Sequence, residues 1–137
     1  MNLSHPLIPL VGRLLITYIF LTSGRAKLMD WQGNIAYMNT RHLPLVPLLL
    51  GMAAVIELAG SISLITGYQA RIAAFVMFLY TTAVTVLFHN YWAFTGPLAG
   101  AQETQFRKNL AIMGGLLMLA YCGPGRWSLG KRSSNAC

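Results

Sequence analysis

The chain is poor in charge, poorer in acid and nearly without cysteine. Charged residues make up only 9% of its 137 positions, and just three of them, Asp30, Glu57 and Glu103, are acidic. A soluble domain carries about 25% charged residues, so the deficit argues against a water-exposed globule. The few acids form no Ser–His–Asp set, and no nucleotide-binding loop is present. His5, His42 and His89 fall on different segments, so no metal motif emerges, and a haem held by two of them would need His42 to fold back under the molecule. The two cysteines, Cys122 and Cys137, make no Cys-x-x-Cys pair, which removes the basis for a self-contained thiol–disulfide oxidase. They read as small hydrophobes.

What is abundant is apolar sequence, 55% of the chain. It gathers into four runs at about 6–23, 44–66, 70–89 and 106–122. About 20 apolar residues span a bilayer core of about 30 Å, so four runs use most of the length and leave no soluble domain. The expectation is an all-α polytopic membrane protein: one domain over 1–137, an antiparallel four-helix transmembrane bundle with a polar, mobile tail over 123–137. The net charge of +7 fits a membrane better than nucleic acid. Arg25, Lys27, Arg41, Arg71, Arg107, Lys108, Arg126, Lys131 and Arg132 all lie at or beyond the ends of the runs, at headgroup level. The N-terminal run lacks a preceding basic segment and is interrupted by Arg13, so it reads as a first membrane helix rather than a cleaved signal.

Local signals divide the chain. The first helix starts near Pro6 and stops at Ser23-Gly24. Asp30 then caps a short helix whose Trp31, Ile35 and Met38 share one face, as in a helix lying in the interface. The second helix ends at Gly67, and the third begins at Ala70, giving a tight hairpin. Gly96-Pro97 and Gly100 are expected to keep 93–105 out of continuous helix. Four crossings place both termini on one side, side A, with the opposite face side B. Basic residues are nearly balanced between the two, and the reading leans towards cytoplasmic termini.

Glu57 is the singular residue, an acid deep within an apolar run, where a carboxylate is costly and marks a functional site or an ion pair. At about 1.5 Å rise per residue, Arg13 lies roughly 10 Å from side A and Glu57 roughly 12 Å. Matched depth predicts a buried Arg13–Glu57 pair, which would serve as a register staple or as part of a working site. The alternative has Arg13 snorkelling to side A and Glu57 protonated. A second polar group, Thr85, His89 and Asn109, gathers towards side B. With Lys27 and Lys108 at its rim, it is expected to share one inward-facing cavity with Glu57. The simpler alternative is that His89 and Asn109 cap helix ends in the headgroup layer.

Gly24-Arg25-Ala26-Lys27-Leu28 resembles the Gly-x-x-Lys-Leu signature of the DoxX family of bacterial membrane proteins. Glu57, the sequence Phe88-His89-Asn90-Tyr91-Trp92, Lys108-Asn109, Gly123-Pro124-Gly125 and Ser128-Leu129 follow in the family's order, and Gly130 departs from it where an Asp is common. The resemblance implies a four-helix bundle in the bacterial cytoplasmic (inner) membrane. It also implies kinship with a subunit resembling that of thiosulfate:quinone oxidoreductase and with membrane partners of superoxide- and thiol-stress enzymes. The functional expectation is therefore an accessory or redox-associated subunit, as a possible homo-oligomer, binding a small lipophilic molecule such as a quinone. A proton-coupled exporter working through Glu57 and a non-catalytic scaffold are the alternatives, and no catalytic residue is assigned.

Overall fold

The computed structural model describes residues 5–130 and is all-helical over them. Its elements are α1 (Leu7–Met29), α2 (Trp31–Asn39), α3 (Val46–Thr66), α4 (Ala70–Phe88), a short 3-10 turn at Tyr91–Ala93, and α5 (Pro97–Cys122). The expected tail residues 131–137, Cys137 among them, lie outside the described residues. Cys122 is not a free thiol, which corrects its reading as an inert small hydrophobe.

Three helices, α1, α3 and α4, are long and apolar enough to cross a membrane. Their outward faces carry exposed Leu15, Tyr18, Val55, Ile62, Ile72 and Leu79, a surface suited to lipid rather than water. α5 differs: Glu103, Arg107 and Lys108 occupy its first half, and only its second half is continuously apolar. The α1 helix packs along α3, α3 on α4, α4 on α5, and α5 returns to α1. One core joins them, with Phe20 from α1, Leu64 from α3, Ala70, Ala74 and Met77 from α4, and Leu116 from α5.

Two boundaries depart from expectation. α1 does not stop at Gly24 but continues to Met29, because Arg25, Ala26, Lys27 and Leu28 all favour helix and Gly24 serves packing instead. A Cβ on Gly24 would lie 2.9 Å from Leu58 Cγ and 3.2 Å from Glu57 Cβ, so its bareness lets α1 touch α3 at Glu57. α5 begins at Pro97 rather than near 106. Gly96, with φ of 65°, makes the break, and Pro97 opens the helix where its missing N–H costs nothing. An ion pair of 2.6 Å between Glu103 and Arg107 joins successive turns of that polar first half.

The other punctuation matches. Asp30 Oδ1 accepts from the Gly33 N–H at 3.1 Å and caps α2. Gly67, with φ of 76°, ends α3 just before α4.

Candidate functional site: a buried lysine–glutamate pair in a cavity

Glu57 projects from the middle of α3 with its side chain 5% exposed. Its cation is Lys27, not Arg13. Lys27 Nζ donates to Glu57 Oε1 and Oε2, both at 2.9 Å, and to Ser23 Oγ at 2.7 Å, so all three ammonium protons are used. Glu57 Oε1 also accepts from Ser23 Oγ at 3.1 Å and from Tyr80 Oη at 2.7 Å. Four side chains from α1, α3 and α4 thus form one closed network around a single carboxylate. Such a pair is tolerated away from water only when further hydrogen bonds complete it, as they do here.

Arg13 lies about two helical turns nearer the other end, at Leu64, seven residues beyond Glu57 on α3. It is fully buried: Nη1 donates to Leu64 O at 3.2 Å, and Nη2 donates to Trp127 O. The expected Arg13–Glu57 pair is therefore corrected. The depth estimate took the start of α1 to be level with the end of α3. Antiparallel packing instead sets Gly24 against Glu57, which carries Arg13 to the end of α3 beside Leu64 O.

A cavity of about 740 Å³ opens beside the network, with wall residues from all five helices. Most of the wall is apolar, including Ile19, Phe20, Leu50, Ile56, Leu79 and Val84. Its polar lining includes Lys27, Glu57, Tyr80, His89, Lys108 and Asn109, so the expected pocket residues are brought to one space. Thr85 is the exception. It stands behind the wall, fully buried, donating to Thr81 O at 2.6 Å and accepting from Asn109 Nδ2 at 2.9 Å. His89 is half-buried and paired through Nδ1 with Gln102 Oε1 at 2.8 Å, while Lys108 is exposed.

Sequence reasoning missed Ser23, Tyr80 and Gln102. Tyr80 carried a usable signal, a phenol inside an apolar run five residues before Thr85. Ser23 and Gln102 carried none, since a lone Ser near a helix end and a Gln in a presumed loop are unremarkable.

A chain that is all-helical over its described residues, with three apolar spans closing over a charged pair in a largely apolar cavity, defines a small polytopic integral membrane protein with an internal polar site. The chain belongs to the DoxX family, whose model matches residues 8–90. It is 33% identical over 129 residues to inner membrane protein YphA of Escherichia coli (strain K12), covering 94% of this chain and 92% of that protein. To inner membrane protein YqjF of the same organism it is 31% identical over 122 residues, 89% of this chain and 88% of that one. A more distant likeness, 28% over 78 residues, links it to the ER-derived vesicles protein ERV29 of Saccharomyces cerevisiae, covering 57% of this chain and 25% of that protein. No solved structure matches at a significant level.

Proposed function

We propose that this protein is an inner-membrane subunit, crossing the bilayer four times with α2 lying in the interface, whose cavity binds a small lipophilic molecule with a polar head, such as a quinone. The observation that carries the reading is the cavity of about 740 Å³, apolar over most of its wall yet with Lys27, Glu57 and Tyr80 on its lining. Ligand cavities of about 300–1,000 Å³ combine these same elements, a greasy wall and a few placed polar groups. A quinone-like head carries carbonyl acceptors. Tyr80 Oη or a Lys27 proton, released from Ser23, would donate to one of them, and Glu57 would hold the ammonium in place. The names of the bacterial relatives agree with the location and are silent on the ligand. A redox role, as an accessory to a partner that supplies electrons, is the reading in which such a site is most useful.

The exporter alternative is less economical because a carboxylate that trades a proton for substrate would have to break its contacts with Lys27, Ser23 and Tyr80 in every cycle. The test is purification in mild detergent, mass spectrometry of co-purifying lipids, and titration with a short-chain quinone followed by tryptophan fluorescence. Saturable binding that weakens tenfold or more in Tyr80→Phe or Lys27→Gln supports the proposal. Absence of both a co-purifying lipophile and saturable binding would end it, and the scaffold reading would take its place.

A further inference from the structure

Between Glu57 and the Arg13 end of the molecule stands a second set of polar side chains that the cavity does not use. Arg13 and Thr17 are one turn apart on α1, and Glu57 and Ser61 one turn apart on α3. Arg13, Thr17 and Ser61 are 0%, 1% and 0% exposed. Thr17 Oγ1, Ser61 Oγ and Arg13 Nε nevertheless have no hydrogen-bond partner. The two helices face each other over this length: Gly24 abuts Glu57 and Leu58 at one end, and Arg13 reaches Leu64 O at the other. Antiparallel packing therefore sets Thr17 and Ser61 in the intervening turns, on the facing sides.

Hydroxyls in apolar helices normally donate to the carbonyl one turn back. Thr22, Thr66, Thr81 and Thr85 all do so here, at 2.9, 2.8, 2.7 and 2.6 Å. Thr17 and Ser61 do not, although burial makes an unmet hydroxyl most costly there. Three orphaned polar atoms on two facing helices call for a small partner with both donor and acceptor capacity, and water is the smallest that has both. We propose that Thr17, Ser61 and Arg13 hold internal water between α1 and α3, carrying the hydrogen-bond network of Glu57 towards the Arg13 end. The site is independent of whatever occupies the cavity.

The experiment is hydroxyl-radical footprinting of the reconstituted protein with millisecond X-ray pulses, which oxidise side chains next to ordered buried water. Met77 and Leu64, buried in the adjoining core and off the cavity wall, report on the seam. They are expected to be labelled in the native protein and to lose that label in Thr17→Val/Ser61→Ala. Thermal unfolding gives a second reading. If water bridges the hydroxyls, each single substitution lowers Tm and the double loses less than the sum, since the second change removes a water already half-released. Unlabelled Met77 and Leu64 in the native protein, with both single variants raising Tm additively, would mean a dry seam and overturn the proposal.

Discussion

Glu57 has three donors on one oxygen and a lysine on both, and the strength of that arrangement lies in its completeness. Removing one partner leaves the others buried without their counter-charge, which is where the large penalties of buried ion pairs arise. Lys27 keeps 18% side-chain exposure, so Lys27→Gln is expected to cost roughly 2–4 kcal/mol, somewhat below the range for a fully buried pair. The check is a double-mutant cycle by denaturant unfolding in detergent. Lys27→Gln with Glu57→Gln should recover much of the loss, whereas Arg13→Gln with Glu57→Gln should recover far less, since no direct contact joins that pair. Tyr80→Phe removes one charge-assisted hydrogen bond and is expected to cost about 1.5–3 kcal/mol, with helicity by circular dichroism unchanged. At this scale Glu57 was legible, because one acid in an apolar run stands out whatever surrounds it. Its partner was not, because choosing between Arg13 and Lys27 requires the register of two helices, and the seven residues from Glu57 to Leu64 are worth about 10 Å.

Helices here end on arginines. Arg13 donates to Leu64 O near the end of α3, Arg41 Nη2 to Phe88 O at the end of α4 at 3.0 Å, and Arg71 Nη2 to Cys122 O at the end of α5 at 3.2 Å. Each meets a carbonyl that has lost its intrahelical donor, and each places positive charge at the negative end of a helix dipole. Arg41 also lies 4.9 Å over the Phe94 ring, tying the 3-10 segment to the end of α4. Arg41→Gln is therefore expected to lose about 1–2 kcal/mol, seen as faster amide exchange confined to the last turn of α4. Gly24 acts on the same scale. Gly24→Val would press on Leu58 and Glu57, push α1 off α3 and weaken the lysine–glutamate pair, lowering stability by about 1–3 kcal/mol. The sequence made four long helices, the α3–α4 hairpin and the Asp30 cap readable, since periodicity and turn chemistry are local. It misled at Gly24 and at 97–105, where a glycine and a proline look like stops. Gly24 is a contact surface, and Pro97 is a start.

At the scale of the whole molecule the open question is α5, whose first half is too polar to announce a crossing. Its packing argues for one. Asn109 bonds Thr85 near the C-terminal end of α4, and Cys122 O accepts from Arg71 near its N-terminal end, so α5 runs antiparallel beside α4 for most of that helix's length. Beyond α5 the chain stays at that end: Arg13 holds Trp127 O, and the Leu129 N–H bonds Thr66 O at 2.9 Å. If α4 crosses the bilayer, α5 must return across it, with Arg107 and Lys108 left at the headgroups on one side and Trp127 at the other. The polar first half then lies outside the hydrocarbon, packed against the 3-10 turn, with Gln105 and Lys108 at the cavity wall. Single cysteines at Thr40, Gln69, Thr95 and Arg126, introduced into a cysteine-free background and probed with a membrane-impermeant maleimide on oriented vesicles, decide the matter. Gln69→Cys and Arg126→Cys are expected to label from one side, Thr40→Cys and Thr95→Cys from the other. Labelling of Arg126→Cys together with Thr95→Cys would leave α5 on one face of the membrane, and the contacts that bind it to Arg71 and Arg13 would then have no place in the native protein.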